Sequence, residues 1–526
     1  MALPADFCTA SIIYRYISIY TSPITRAACA THQWRRFMEQ GNSGSFKKYM
    51  HPLEESVLSL ATGRIEKPVL EPPKDNVIPM TPRTESSAPE PEQIAPVDKL
   101  QSVSGLINDC MIFINKQVLG RRDIVRQSFL ALITGEHQLI ISRTGMAKSL
   151  LARQIFACFD GATVFEKQLT KDTMPENLFG AYDIEAMKKG KMIHNVEGSL
   201  VLSHFAFLDE IFDANDMLLR ALLSVLNEKQ LVNGEQMVSS TLHSAIGAAN
   251  YIRITEVLEA VLDRFLYKSF IPENKDLYFQ YSIDQIYQEH FGKVATPERR
   301  LTLGELAFVK KLVQSKQLEI PGYVLFLKNY ILKKYIEETR AVVSDRKDYT
   351  ISDRKSAKTQ DTMRASAILD GRNEVDERDL DSLYYVICTL GREEEKIRFD
   401  KILNATKNYF RQDKTILENL FNAISIFNII KKSKSTDSLK SDQAFKEVHQ
   451  KLERVAKSEG SVLMEYFTKL RQKFMSLTRD NFLPETFTLF ENLSEMSLKD
   501  AKSRETRELI TGFREDVFHE KKIALK

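Results

Sequence analysis

The sequence predicts an α/β fold in which a mostly parallel sheet lies between helices and is followed by an all-helical region. Three short apolar runs, LII at 139–141, FAFL at 205–208 and SAIGAAN at 244–250, alternate with helical segments between 98 and 275. Such alternation is typical of a parallel sheet covered by helices. Beyond residue 276 every periodic segment has helical spacing, first in 276–392 and then in 393–526.

Length, charge and cysteine usage limit the class of protein. A chain of 526 residues is too long for a single core, so we expect several domains. The 74 Lys and Arg residues nearly balance the 71 Asp and Glu residues, and this balance disfavours nucleic acid or a membrane surface as a partner. The five cysteines lack the spacing of a metal or redox site, which suits a reducing cytosol. No apolar run approaches the roughly 18 to 20 residues of a membrane span, so we expect a cytoplasmic protein.

The composition of the first 97 residues predicts an N-terminal extension and a disordered linker. Eight of the sixteen prolines lie between Pro68 and Pro96, mixed with Glu and Ser, a composition that does not form a packed core. The beginning of the chain is rich in Arg and poor in acids. Two interpretations stay open here: a targeting peptide, or a true translation start at Met38 or Met50.

The stretch LIISRTGMAKSLLAR (139–153) has the order strand, loop, helix, which is the setting of a phosphate-binding loop. The pattern G-x-x-x-x-G-K-[ST] fails at two positions, where Ser142 and Ala147 replace glycine. Loop N–H groups at the start of a helix attract phosphate, Lys148 adds positive charge, and Ser149 offers a hydroxyl to Mg²⁺. We expect Ser142 to be the more serious departure, because a positive φ there costs serine about 1 to 2 kcal/mol relative to glycine. Ala147 is expected to accept helical dihedral angles.

A second apolar run ends in the acidic pair Asp209 and Glu210, and a third ends in Asn250. Each pattern alone also fits an ordinary strand end or helix cap. Together with the loop they predict a site that binds ATP and Mg²⁺, in which Asp209 holds the metal through water and Glu210 orients the attacking water. Asn250 is placed to position the same water.

Three further local predictions concern the elements that follow. A helix in DANDMLLRALLSVLNEKQ is expected to bury Met217, Leu218, Ala221, Leu222, Val225 and Leu226. Asn233-Gly234 predicts a type I′ hairpin. Two later helices are expected to begin at the caps Ser352 and Asp376 and to end at Gly371 and Gly391.

Taken in order, these motifs resemble the MoxR group of AAA+ ATPases, and most closely its RavA-like branch, over about 115 to 392. The matching stretches are GEHQLIISRTGMAKSLLAR, MPENLFGAYDIEAMKKG, FAFLDEIFDANDMLLRALLSVLNEKQLVNGEQ, AIGAANYI, VLDRF and SDRKSAKTQDTMRASAILDGR. The resemblance implies an AAA+ P-loop NTPase core with an all-helical lid. The expected division is an extension at 1–97, a nucleotide-binding domain at 98–275, a lid at 276–392 and a helical C-terminal region at 393–526. The last region does not visibly match the accessory domain of RavA.

The resemblance also implies roles for single residues. Asp209 and Glu210 match the Walker B pair, Asn250 matches sensor 1, and Arg264 in the LDRF motif matches the arginine finger. Arg354 matches the sensor 2 arginine, and we prefer it to Arg346, because the sequence after Arg346 lacks a helical face. The residues implied to contact ATP are Val118, Gly120, Thr144, Gly145, Met146, Ala147, Lys148, Ser149 and Leu150, and those implied to hold Mg²⁺ are Ser149 and Asp209.

The functional expectation is a ring of identical subunits, a homo-hexamer, that uses ATP hydrolysis to remodel, mature or assemble a protein partner. In proteins of this kind a helix-2 insert, here 180–198, and the pre-sensor 1 hairpin project toward the ring axis. The partner often contains a von Willebrand factor A domain, which would have to be supplied by another chain. One rival is a nucleotide-binding scaffold, against which Glu210 and Arg264 argue. The other is a nucleic-acid motor or loader, which the near-neutral charge disfavours.

Overall fold

The computed structural model describes residues 97–233, 236–251, 261–273, 276–290, 294–315, 317–342, 349–434 and 482–524. The predicted N-terminal extension lies outside the described residues except for Val97, and so does Arg346. Within the described residues, no helix combines the length and the apolar character needed to cross a bilayer.

The helices and strands follow one another in the order predicted by the apolar runs. The first part of the chain contains α1 Val97–Gln117, α2 Arg122–Thr134, β1 Gln138–Ile141, α3 Lys148–Phe156, β2 Phe159–Asp160, β3 Val164–Gln168, α4 Glu176–Phe179, α5 Ile184–Lys188, β4 Phe205–Asp209, α6 Asp216–Glu228, β5 Gln230–Asn233, β6 Gln236–Ser239, β7 Ser244–Ala249 and β8 Tyr267–Phe270. The second part contains α7 Leu277–His290, β9 Leu301–Thr302, α8 Leu303–Gln314, α9 Gly322–Val342, α10 Asp353–Leu369, α11 Tyr384–Ile387, α12 Glu393–Tyr409, α13 Lys414–Lys434, α14 Phe482–Asp500 and α15 Arg504–Ala524.

Five strands form one parallel sheet in the spatial order β3-β4-β7-β1-β8. Strand β1 lies between β7 and β8, so that Ile141 is opposite both Ala249 and Phe270. The acidic strand β4 is separated from β1 by β7. All five strands place their C-terminal ends at the same edge, where open α/β sheets bind ligands. The predicted α/β fold with a mostly parallel sheet is confirmed.

Both faces of the sheet are covered by helices, which explains why its strands read as unbroken apolar runs. Phe205 and Phe207 of β4 pack in one hydrophobic cluster with helices α2 and α3. Ala206 and Leu208 point to the other face and pack in a second cluster with Leu222 of α6. The two clusters fix the position of each strand end and therefore of the side chains that follow it.

The helical region extends the first of these clusters. Val309 of α8, Ile331 of α9, Leu369 of α10 and Phe399 of α12 are all buried in it. Helix α13 continues the packing and is joined to α15 through Asp413, which accepts hydrogen bonds from the backbone N of Lys502 at 2.9 Å and of Ser503 at 2.7 Å. The predicted domain boundaries at 275 and 392 stay predictions.

Several local predictions are corrected. Met217 is 60% exposed, and Leu219 is buried instead, because the buried stripe of α6 is rotated by about one residue. Strands β5 and β6 form the predicted hairpin, but Asn233 is the last residue of β5, where it pairs with Gln236. Gly234 lies outside the described residues, so the turn type stays a prediction. The two-residue strand β9 interrupts the region predicted as purely helical, where it pairs with β2.

The two predicted helix caps are confirmed, but only one predicted helix end is. Ser352 caps α10 by accepting from the N–H of Lys355, and Gly371 follows the helix with φ 69°. Asp376 caps a 3₁₀ helix at Glu377–Leu383 that continues into α11, and the helical turns stop at Ile387 rather than at Gly391. The turns stop there because the backbone of Cys388 leaves the helical conformation, with ψ 147°.

Two imidazoles are buried at the N-terminal edge of the sheet. Ala245 N donates to Nδ1 of His137 at 3.0 Å, so its proton is on Nε2, which lies 3.0 Å from the Leu226 carbonyl oxygen. Burial lowers the pKa of His137 well below its usual range, and the Lys229 ammonium lowers it further. Burial and then Lys310 lower the pKa of His243 to about 4. Both rings are therefore neutral in the folded protein.

These rings predict how stability depends on pH. In the unfolded chain a histidine binds its proton below a pH of about 6.5, whereas folded His243 does so only near 4. The unfolded state therefore binds more protons in this window, and the free energy of unfolding falls with decreasing pH by up to about 1.4 kcal/mol per pH unit for each ring. Urea unfolding between pH 7.5 and 5.5 measures the slope, and His243→Gln should reduce it. A flat profile would contradict the neutral assignment.

Candidate active site

The loop between β1 and α3 continues the strand before it turns. Ser142 is buried, and its N–H donates to Ala249 O at 3.0 Å, which extends the pairing of β1 with β7 by one residue. Its hydroxyl donates to Arg143 O at 3.0 Å. The positive φ angles of the loop are at Gly145, 81°, and at Ala147, 59°. The expectation for the two replaced glycines is thus wrong in both parts: Ser142 keeps a negative φ, and Ala147 is the strained position.

A chain of hydrogen bonds joins the ends of neighbouring strands. Lys148 is 7% exposed, and its ammonium donates to Ser142 O at 3.0 Å and to Asn250 Oδ1 at 2.6 Å. Asn250 Nδ2 donates to Glu210 Oε1 at 3.0 Å, and Gln168 Nε2 donates to Glu210 Oε2 at 3.1 Å. The structure therefore brings together Lys148, Asn250 and Glu210, three of the predicted site residues.

The electrostatics of the site favour a charged lysine that faces acids. Burial lowers the pKa of Lys148, while the Asp209 and Glu210 carboxylates act in the opposite direction and stabilise its charged form. Asp209 is the last residue of β4, and its Oδ1 accepts from the N–H of Glu210 at 3.0 Å. Glu210 has φ 53°, a left-handed conformation that is uncommon for a non-glycine residue. This conformation turns the chain so that both carboxylates stay at the C-terminal edge of the sheet.

The other predicted nucleotide-contacting residues surround the same loop. Thr144, Gly145 and Ala147 are exposed, and α3 begins directly after them, so their N–H groups lie at the positive end of a helix. Ser149 is half-buried in the first turn of α3, and the half-buried Met146 and Leu150 pack against the core.

Val118 and Gly120 lie between α1 and α2. Val118 is buried in the core. Gly120 has φ 67°, and a Cβ there would lie 2.8 Å from the ring of Phe279 on α7, so both the backbone conformation and the close approach require glycine. The segment is thereby held against α7 rather than left as a free linker.

Arg264 and Arg354 are not brought to this edge of the sheet. Arg264 precedes β8, whose first residue Tyr267 is opposite the first residue of β1, and its guanidinium contacts Asp263 at 3.1 Å. Arg354 is exposed on the first turn of α10. Both arginines therefore lie toward the N-terminal ends of the strands, whereas Lys148 lies beyond the C-terminal ends.

Gln168 contacts the candidate site and is a residue that sequence reasoning missed. It ends β3, opposite Asp209, and holds one oxygen of Glu210. The strand VFEKQ lies at the edge of the sheet and is largely exposed, so it has no apolar run to reveal it. The available signal was only the presence of a polar residue, Gln168, some 40 positions before Asp209, which ends the acidic strand.

The sheet order, the phosphate loop after β1 and the acidic pair after β4 define the class: a P-loop NTPase core of the AAA+ type with a helical lid. Residues 106–287 match the family described as the MoxR domain in the MoxR-vWA-beta-propeller ternary systems, and residues 323–400 match the AAA lid domain. The chain thus contains a MoxR domain followed by an AAA lid domain. Its placement in the RavA-like branch stays a prediction.

The relatives of the chain include two proteins of Methanocaldococcus jannaschii. The uncharacterized protein MJ0812 is 29% identical over 319 residues, which are 60% of this chain and 80% of the relative. The uncharacterized protein MJ0079 is 29% identical over 326 residues, with the same coverage of both chains. A solved structure from Cytophaga hutchinsonii matches with a TM-score of 0.47 and 17% identity over 59% of this chain and 96% of that one. The family assignment rests on the matched domains and not on this last similarity.

Two glycine substitutions should change stability in opposite directions. Ala147 has a Cβ and a left-handed backbone conformation, which is unfavourable for such a residue. Ala147→Gly removes this strain and should raise the free energy of unfolding by about 1 kcal/mol. Ser142→Gly adds backbone freedom to a strand residue and should lower it by about 0.5 to 1 kcal/mol. Urea midpoints of the two variants and the natural protein decide the matter. Stabilisation by Ser142→Gly would show that the strain had been assigned to the wrong residue.

Proposed function

We propose that this protein hydrolyses ATP and that the hydrolysis takes place at the C-terminal edge of the sheet. The observation that carries the proposal is the hydrogen-bond chain from Lys148 through Asn250 to Glu210. A lysine, an amide and a carboxylate held in this order next to a loop of helix-terminal N–H groups are suited to phosphoryl transfer to water. A scaffold that only binds nucleotide would not need the carboxylate.

Each group has a distinct task in this proposal. The N–H groups of 143–147 and the Lys148 ammonium hold the phosphates and stabilise their charge. Ser149 and Asp209 offer hard oxygen ligands that suit Mg²⁺, and the ion would neutralise charge on the phosphates. Glu210 orients the attacking water and polarises it. Asn250 donates one amide hydrogen to the Glu210 carboxylate, and its amide oxygen accepts from Lys148. The distance between the Glu210 carboxylate and the Lys148 ammonium is thereby fixed.

The position of Arg264 supports an oligomer in which neighbours share active sites. The arginine lies before β8, at the end of the sheet opposite to Lys148, and its partner Asp263 holds it there. An arginine in that place can contact only the nucleotide of another subunit. We infer a ring of identical subunits, a hexamer by resemblance, in which Arg264 supplies transition-state charge to the next site.

We further propose that the ring remodels or assembles a protein partner. The matched family is described by systems that also contain vWA and beta-propeller components, and this description supports the proposal of a partner with a von Willebrand factor A domain. The insert and the hairpin form one surface, since His194 N donates to Gln236 Oε1 and Gln236 Nε2 donates to His194 O, both at 2.8 Å. Exposed apolar side chains on this surface, Ile184, Met187, Met192, Val232 and Met237, suit contact with a protein.

Glu210→Gln should separate binding from turnover. The amide preserves the shape of the side chain but cannot polarise water, so ATP should bind with similar affinity while turnover falls by roughly a hundredfold or more. Phosphate release and calorimetric titration with ATP and Mg²⁺ measure the two effects. Glu228→Gln, on the exposed end of α6, is the matched control. Unchanged turnover in Glu210→Gln would favour the scaffold interpretation.

Mixing inactive variants should restore activity if Arg264 acts across a subunit boundary. Arg264→Ala and Lys148→Ala subunits should each hydrolyse ATP poorly alone. In a one-to-one mixture about a quarter of the interfaces pair an intact pocket with an intact arginine, so turnover should approach about a quarter of the natural value. If the mixture forms oligomers and stays inactive, Arg264 does not act in this way.

A further inference from the structure

Three lysines from three different elements surround the short turn between α2 and β1, which consists of Gly135, Glu136 and His137. On α8, the ammonium of Lys310 lies so close to the first residue of the turn that a Cβ added there would be 2.6 Å from Nζ. On α10, the Lys358 ammonium contacts the carboxylate of the second residue at 2.8 Å. Lys229, which follows α6, lies 3.4 Å from Nε2 of the third. Positive charge is thus concentrated where β1 begins.

Among the described residues, the nearby carboxylates compensate only one of these lysines. Lys358 is paired with Glu136 and also lies 3.6 Å from Asp361. Lys310 is half-buried and makes no hydrogen bond or ion pair with any described residue. The half-buried Lys229 donates to a single backbone carbonyl oxygen at 3.4 Å, and the ring nitrogen beside it carries its own proton and cannot accept. Two ammonium groups are therefore left without a carboxylate of their own.

The C-terminal end of α2 does not need these two lysines as donors. The last carbonyl oxygens of a helix attract cations when they lack partners. Here the carbonyl oxygens of Leu130, Ala131 and Leu132 already accept from a threonine hydroxyl, a backbone N–H and an imidazole N–H, at distances of 2.6 to 3.0 Å. Termination of the helix leaves the position of Lys310 unexplained.

The pKa values around the turn indicate an excess of positive charge. Burial and then Lys310 lower the pKa of Lys229 to about 8. Burial also lowers the pKa of Lys310, and Glu136 is the carboxylate that acts against this on both lysines. After burial, the same two ammonium groups contribute to the lowered pKa of His137 and of His243. Four basic groups at this edge of the sheet therefore share one carboxylate.

We propose that Lys229 and Lys310 bind a phosphate group at the edge of the sheet where the strands begin, separate from the phosphate loop beyond the other end of β1. Two uncompensated ammonium groups match the charge of a doubly negative oxyanion, and a buried charge is unfavourable until it has a partner. Free inorganic phosphate and the phosphate groups of a second nucleotide share this chemistry. The site does not depend on ATP hydrolysis at the phosphate loop.

Phosphate should stabilise the natural protein against urea, because a ligand that binds only the folded state raises the free energy of unfolding. Urea midpoints are measured over a range of sodium phosphate concentrations, with sodium chloride keeping the ionic strength constant. Lys148→Ala, which removes the lysine of the phosphate loop, should keep this effect. Lys310→Met should weaken phosphate binding by about tenfold or more, the loss expected for one charge-assisted hydrogen bond. Lys311→Met, at an exposed neighbour on the same helix, is the matched control and should bind like the natural protein.

The stability of Lys310→Met without phosphate separates binding from a structural role. Removal of an uncompensated, half-buried charge should leave the urea midpoint unchanged or raise it. A lysine that served to hold α2 would instead give a lower midpoint, with the same dependence on phosphate as before. Lys310→Arg keeps the charge and should keep phosphate binding. If Lys310→Met does not fold, Lys229→Met replaces it in every comparison.

Titration of Lys148→Ala with ADP identifies the source of the phosphate group. Protection by ADP but not by free phosphate, lost in the double variant Lys148→Ala/Lys310→Met, would assign the site to a nucleotide. Three results overturn the inference. Chloride may not replace phosphate, so equal protection by both at the same ionic strength contradicts it. Loss of phosphate protection in Lys148→Ala, or unchanged protection in Lys310→Met, contradicts it as well.

Discussion

The hydrogen-bond chain from Lys148 through Asn250 to Glu210 is the interaction on which the rest of the account depends. It connects the residues that follow three adjacent strands, β1, β7 and β4. A chain of two bonds at 2.6 and 3.0 Å requires these strands to end at the same level, and hence requires the observed parallel register. The register is in turn fixed by apolar side chains on both faces of the sheet, since a slip of one residue would exchange the two faces. The geometry of the candidate site is thus a consequence of core packing.

A parallel sheet also has a second edge, and this chain places different chemistry there. Arg264 and the first turn of α10 lie where the strands begin, joined by Asp263. The length of the strands separates Arg264 from the phosphate loop of its own chain. Under the proposed function, an active site that uses Arg264 therefore needs a second copy of the chain.

Sequence reasoning predicted the site wherever an apolar run ended in a polar residue. Asp209 ends a strand that is buried on both faces, and Glu210 and Asn250 directly follow such strands, which are visible in the sequence as continuous apolar runs. The edge strand β3 is exposed, so Gln168 at its end gave no signal.

The strain expected at the two positions where glycine is replaced was assigned in the wrong order. A motif shows at which positions glycine occurs, but it does not show which of them needs a positive φ. At 142 the chain is still extended, while at 147 it turns through the left-handed region. The exposure of Met217 likewise depends on how α6 is rotated against the sheet, which helical spacing leaves undetermined to within one residue.

The central claim is that the active site is completed by a neighbouring copy of the chain, and it is tested most directly by measuring ATP turnover per subunit over a wide range of protein concentration. Analytical ultracentrifugation at the same concentrations gives the fraction of assembled subunits. The account predicts that turnover per subunit rises with concentration in parallel with that fraction and is nearly absent in the monomer. Monomers that hydrolyse ATP at the same rate as the assembled protein would contradict it.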